Sequence, residues 1–188
     1  MIQAKKRNCK SCSIEIISTG NFCGNCIKNK QKIKAKQEKQ KIRKQNTCTE
    51  KKLDTVFSKL VRTIYPMVCH SSGVEISFNN AHAAHFISRV NRCVRFDLRN
   101  VYPTVPSENM YNQLHVLGLA KSLKNYYEID AEDWIAAAKQ STCKLTNLER
   151  KYMFNIFVEG LKAIETINSE QALNDLRLQI IELTKKIM

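Results

Sequence analysis

Three of the four histidines in this 188-residue chain, His82, His85 and His115, surround one asparagine, Asn100, which lies fifteen residues from both His85 and His115. Imidazole can take up a proton near pH 7 and can also ligate a metal. The set therefore suits hydrolysis of a phosphodiester, in which a water loses a proton while negative charge builds on the phosphoryl and leaving oxygens. One assignment uses every member. His85 is the general base, and His82 and His115 bind a catalytic divalent cation, Mg2+ or Mn2+, that keeps waters in its remaining positions. Asn100 hydrogen-bonds the base and holds it in a productive tautomer. The competing reading of "AHAAHF" is a buried strand whose histidines belong to the core.

A second constellation is Cys9, Cys12, Cys23 and Cys26, spaced as C-x2-C, ten residues, C-x2-C. Two such knuckles let four thiolates converge tetrahedrally on one Zn2+, and four protein ligands leave no open position, so the expected site is structural, one zinc per chain. The intervening "SIEIISTGNF" reads as a short hairpin turning at Gly20. Cys48, Cys93 and Cys143 have no partner at ligand spacing and read as buried or free thiols.

The composition sets the frame for both sites. With 43% apolar and 26% charged residues the chain reads as a soluble globular protein. No apolar run approaches the roughly 20 residues that span a bilayer, and the N-terminus lacks a signal core, so a cytoplasmic protein with no membrane partner is expected. Eight cysteines in a reducing compartment read as metal ligands or thiols rather than disulfides. The formal charge of +14 points to an anionic partner, and it is concentrated: residues 1–52 carry 15 Lys/Arg against 3 Glu. Within them, "KNKQKIKAKQEKQKIRK" holds nine positive side chains and one Glu without Gly or Pro. Like charges and the lack of a wide apolar stripe make this at best a marginal helix alone. It reads either as a solvated linker or as an arm whose Lys30, Lys32, Lys34, Lys36 and Lys39 contact phosphates of duplex or branched DNA, a salt-sensitive and sequence-blind source of affinity. Arg89, Arg92, Arg95 and Arg99, beside the histidines, suit the same task.

The positioning elements follow from local patterns. A helix is predicted after Thr47, with Thr47 and Glu50 as a capping box and Leu53, Val56, Phe57, Leu60, Val61 and Ile64 as its packing face, stopped by Pro66. From Met67 to Phe78 the pattern is strand-like, turning at Ser71-Ser72-Gly73. A strand-rich hairpin would carry His82 and His85, and a loop would carry Asn100. A helix capped by Ser107 and running to about Tyr126 would carry His115. "DAEDWIAAAK" forms a short helix, a second capping box at Thr146 and Glu149 opens a longer one, and the last twenty residues are helical. Hairpin, loop and helix in this order are what a ββα-metal nuclease site requires.

The stretch "AHAAHFISRVNRCVRFDLRNVYP" also resembles the core of the phage-lambda NinG (Rap) recombination nucleases, whose motif runs roughly D-x-G-H-[YF]-x-S-R and then L-R-F-x-x-x-N-[IV]-H. The matching residues are His85, Ser88, Arg89, Arg95, Phe96, Asn100 and Val101, and the similarity extends to a cysteine cluster, a Lys-rich arm and a capped helix upstream. It implies an HNH-like endonuclease that cuts Holliday junctions and D-loops, encoded by a phage or prophage and working in the bacterial cytoplasm. The family braces its core with a second zinc on two C-x-x-C pairs. Here those positions hold Cys69 with Ser72 and Val105 with Glu108, which implies that this zinc is lost and that Cys69 and His70 pack or face solvent. The family's Asp before the base is His82, a later Asn falls at His115, and the His after its central Asn is Tyr102, which cannot act as a base. Loss of the cysteines fits a catalytically silent DNA-binding protein of the same family, whereas the complete set of His82, His85, Asn100 and His115 fits an active enzyme.

The expected fold is α+β: a four-cysteine zinc module over 1–27, a basic arm over 28–52, an HNH-like core with its leading helix over 53–126, and a helical region over 127–188. Two symmetric cuts in a four-way junction would suit a homodimer.

Overall fold

The computed structural model describes residues 6–17, 20–45, 47–111, 115–140 and 143–187. They form a mixed structure of helices and two small antiparallel sheets, divided into two compact units, Met1–Thr47 and Cys48–Met188. No helix among the described residues is long and apolar enough to cross a membrane.

In the first unit, β1 (Lys6–Asn8) pairs with β2 (Glu15–Ile17), Arg7 opposite Ile16. The hairpin therefore turns through the first cysteine knuckle and not at Gly20: the Cys9 N–H donates to the Ile14 carbonyl at 2.9 Å, and Ser13 takes a left-handed φ of 59°. Residues 18 and 19 of the expected turn lie outside the described residues. The second knuckle opens α1 (Gly24–Gln45), where the Ile27 N–H donates to the Cys23 carbonyl at 3.0 Å. The arm, expected to be marginal as a helix, is thus continuous with the cysteine module. A knuckle that fixes the first turn removes the unfavourable nucleation step, and a run of Lys, Gln, Ala and Arg propagates it. Every side chain from Ile27 to Arg43 is exposed.

The second unit is built on α2 (Glu50–Ile64), whose buried face is the expected one: Leu53, Val56, Phe57, Leu60, Val61 and Ile64. Its cap is Thr49, not Thr47, because the Lys52 N–H donates to Thr49 Oγ1 at 3.2 Å while the Thr47 hydroxyl donates back to the Arg43 carbonyl. Residues 67–78 supply only a bridge between Val68 and Glu75, with Gly73 in the left-handed region at φ 78°, a conformation that suits a residue without a Cβ. The second sheet pairs β3 (His82–His85) with β4 (Val101–Thr104), so that His82 faces Thr104 and His85 faces Val101. α3 (Pro106–Tyr111) starts with Pro106 in its first turn, which places Ser107 inside the helix rather than at its cap. α4 (His115–Tyr127) follows, residues 112–114 lying outside the described ones. Three further helices are α5 (Ala131–Gln140), α6 (Asn147–Ile164) and α7 (Glu170–Lys185). The capping box expected at Thr146 and Glu149 is formed in full.

One core joins these elements. Phe57 meets Phe96 edge-on at 5.7 Å and Phe157 of α6 at 4.9 Å, and Val101, Tyr102, Leu119, Leu123 and Ile180 close around them. The C-terminal helices are therefore part of the same core as the histidine-bearing hairpin. Gly118 seats α4: a Cβ there would lie 2.5 Å from the Ser71 Cα and 2.7 Å from the His70 carbonyl, so only glycine lets the helix that starts at His115 cross this turn.

Candidate functional site

His82, His85 and His115 line one cavity of about 680 Å³ together with Ser58, Arg62, Phe86, Ser88, Arg89 and Asn109. β3 supplies the first two histidines and α4 the third, while α2 contributes Ser58 and Arg62. Among the described lining residues there are two guanidinium groups, three imidazoles and no carboxylate, so the site is suited to an anion.

The His85 ring is fixed in one orientation. Its Nε2 lies 3.0 Å from the Arg95 carbonyl oxygen, which can only accept, so Nε2 carries the hydrogen and the basic lone pair resides on Nδ1. Burial disfavours the charged ring and lowers its pKa to about 4, against the opposing pull of the Arg95 carbonyl. His85 is thus a neutral imidazole at pH 7.

The Asn100 side chain makes its hydrogen bonds to backbone and not to that ring, contrary to the role expected from the sequence. Fully buried, it accepts from the Ile87 N–H at 2.8 Å and donates to the carbonyls of Ile87 at 2.9 Å and Val94 at 3.0 Å. Its own carbonyl receives the Phe86 N–H at 2.8 Å. Asn100 is a clamp on both ends of the loop from Ile87 to Val94, and through that loop it places the Arg95 carbonyl against His85. A second tie comes from α2, where Asp54 grips the Arg95 guanidinium through both oxygens, at 3.0 and 2.6 Å.

The four arginines expected to contact phosphates consequently separate. Arg89 lines the cavity and Arg92 is exposed. Arg95 is committed to Asp54, with Glu50 at 3.6 Å, and Arg99 forms a two-point pair with Asp97 at 3.0 and 2.6 Å beneath Trp134. Both are half-buried and each is held by a carboxylate, as a guanidinium partly withdrawn from water requires. Ser58, Arg62 and Asn109 are cavity residues that the sequence did not single out. The only trace was that Ser58 and Arg62 stand one helical turn apart beside the apolar stripe of α2, and Arg62 is held there by the Ser58 carbonyl at 3.1 Å.

In the first unit, Cys9, Cys12, Cys23 and Cys26 bring their sulfurs within 4.8 Å of one another, the one such group of three or more His, Cys, Asp or Glu side chains among the described residues. Four thiols in this arrangement can hold a metal ion such as zinc. Tetrahedral Zn–S bonds of about 2.3 Å place sulfurs roughly 3.8 Å apart, and the Cys12 and Cys23 sulfurs are 3.6 Å apart. The Cys23 N–H donates to the Cys9 sulfur at 3.3 Å and is the main reason that this thiol falls to about 6, so one ligand is readily ionised at neutral pH.

The segments 69–72 and 105–108 are joined by direct hydrogen bonds. The Val105 N–H donates to the buried Cys69 sulfur at 3.4 Å, and the Ser71 hydroxyl donates to Glu108 at 3.0 Å. Burial raises the Cys69 thiol, but hydrogen bonds from Ser72 and Val105 outweigh it and the net shift is downward. His70 packs on the Tyr102 ring at 5.3 Å with its Nδ1 2.8 Å from the Ser122 hydroxyl, and burial lowers it to about 4. Tyr102 is itself buried, its hydroxyl donating to the Arg99 carbonyl. Of the remaining thiols, Cys48 is buried, and Cys93 and Cys143 are half-buried.

No family model, curated protein or solved structure matches this chain.

Proposed function

We propose that the chain is an HNH-like, metal-dependent endonuclease that cleaves branched DNA. The observation that carries this reading is that His82, His85 and His115 line one cavity in which the His85 tautomer is set by the Arg95 carbonyl. The hairpin of β3 and β4, with α4 beyond it, is compatible with the frame of a ββα-metal site and supports this reading, and the resemblance to the NinG (Rap) nucleases suggests the substrate class of Holliday junctions and D-loops.

In this reading His85 Nδ1 accepts the proton of the attacking water, which a neutral ring can do at pH 7. Arg89 and Arg62 face the same cavity and offset charge on the phosphoryl oxygens. His82 and His115 would hold a divalent cation, which supplies further charge neutralisation, and water and substrate oxygens would complete its shell. Two imidazoles without a carboxylate favour Mn2+ or a softer ion over Mg2+, which prefers all-oxygen sites. Cys9, Cys12, Cys23 and Cys26 would hold a structural zinc, and the lysines of α1 would lie along phosphates.

The test is incubation of the zinc-loaded protein with labelled four-way junction and linear duplex, in the presence of Mn2+, Mg2+ or chelator. Junction cleavage that needs an added divalent ion and disappears in His85→Ala, with binding intact, is expected. Binding without cutting under every metal condition would replace this proposal with that of a silent DNA-binding protein.

A further inference from the structure

A second cleft, of about 750 Å³, adjoins the histidine cavity and shares Arg62 with it. Its floor, between α2 and α6, is apolar: Val56, Phe154, Val158 and Leu161. Its rim carries Lys52, Lys59, Arg62 and Lys162, the last paired with Glu159 at 2.9 Å, and the one carboxylate in the lining is Glu165. Lys52, Thr55, Lys59 and Arg62 follow one another at three- and four-residue steps, so α2 presents them as one stripe leading to the histidines. Arg62 hydrogen-bonds only carbonyls among the contacts found for it, those of Ser58 and Phe78, so its charge is left for a ligand. Its guanidinium lies 4.4 Å from the centre of the Phe78 ring, which is 37% exposed at the cleft edge.

Cations in a row beside exposed and half-buried aromatic rings are what a single nucleic-acid strand requires. The phosphates need positive charge at regular intervals, and an unpaired base needs a ring to stack on. A protein helix docking on the same floor would have to match Lys52, Lys59 and Arg62 at its border, and a duplex could not present a base face to Phe78 without opening. We propose that this cleft binds an unpaired nucleotide of the strand leaving the histidine cavity, its base against Phe78 and Phe154 and its backbone along Lys52, Lys59 and Arg62. The inference rests on the nuclease reading for its account of the neighbouring cavity, and it deepens that reading: the preferred substrate has single-stranded character next to the scissile phosphate, as at a fork, flap or opened junction.

The experiment uses the full chain and fluorescence anisotropy with a labelled twelve-nucleotide oligothymidine and a twelve-base-pair duplex. Phe78→Ala is expected to weaken the single strand by about 5- to 150-fold, the range for losing one stacked base, and to change duplex binding less than about twofold. Lys59→Gln, on an exposed helix face, is expected to weaken the single strand with no change in thermal melting, which guards against misfolding of the Phe78 variant. Equal losses on both probes, or no loss in either variant, would overturn the proposal. So would a change from dimer to monomer on sedimentation of Phe78→Ala, which would show that a second copy covers the cleft. Junction cleavage distinguishes the two readings: cutting with no Phe78 effect on the single strand removes only the subsite, and a Phe78-dependent single strand without any cutting removes only the nuclease.

Discussion

The two units of this chain keep their shape by different means. Among the described residues of the first, Cys9 alone is buried, and a 22-residue helix leaves its knuckle with no apolar face to cover. The second buries Leu53, Phe57, Leu60, Phe96, Leu119, Met153 and Phe157 in one continuous core. A segment of some forty residues without a core is usually stable only with a metal or a cross-link. The units should therefore fail under different insults, and their proposed roles, attraction of DNA in one and chemistry in the other, should be separable.

The largest expected effect is removal of metal from the four cysteines. Structural zinc in small modules contributes about 10 to 16 kcal/mol of apparent binding energy, so stripping it should abolish the ordered knuckles and the circular-dichroism signal of α1. The thermal transition of the core should stay where it was. Metal analysis should return about one tightly held zinc per chain. A helix signal that survives chelation would break the contrast between the units.

Within the core, His85→Ala should slow single-turnover cleavage by about 100- to 10,000-fold, the usual worth of a general base, while affinity and salt dependence stay unchanged. A comparable loss of affinity would place His85 in binding rather than chemistry.

Acid should act on the core through His70 and His85. Each has a pKa of about 4 in the folded chain against the ordinary 6.5. The unfolded state therefore binds more protons between these values, and stability falls as pH drops through that window. Roughly 3 kcal/mol per imidazole is at stake by about pH 4, read from urea midpoints at neutral and acid pH. His70→Asn should flatten the dependence, and a midpoint that ignores pH would mean that both rings are solvated.

Asn100→Ala should cost roughly 2 to 3 kcal/mol, since it leaves buried partners of Ile87 and Val94 unpaired, and should lower cleavage along with stability because the Arg95 carbonyl loses its placement. Full activity in a destabilised variant would show that the clamp does not act on His85.

Smallest in its effect on stability is replacement of Lys30, Lys32, Lys34, Lys36 and Lys39 by Gln on a helix whose side chains are already exposed. Its readout is the salt dependence of DNA binding, which should flatten by about 4 to 5 units on a log–log plot if all five meet phosphates. An unchanged slope would make α1 a solvated spacer and leave DNA attraction to the core cations.

Much of this molecule was legible because it is local. Each knuckle comes from two cysteines with two residues between them, the α2 packing face repeats with the helical period, and Thr146 meets Glu149 within a single turn. Local rules also have near-ties: Thr49 and not Thr47 caps α2, with Thr49 in extended backbone and the Thr47 hydroxyl turned back to the Arg43 carbonyl. The partners of Asn100 and Arg95 were decided by tertiary structure alone. Asn100 found the backbone of Ile87 and Val94, and Arg95 found Asp54, 41 residues away. Residue type states that a guanidinium or an amide will need a partner, since burying either unpaired is costly. Which partner it meets depends on how the chain returns on itself, and that return both paired Arg95 with Asp54 and brought Arg62 of α2 into the cavity of the histidines.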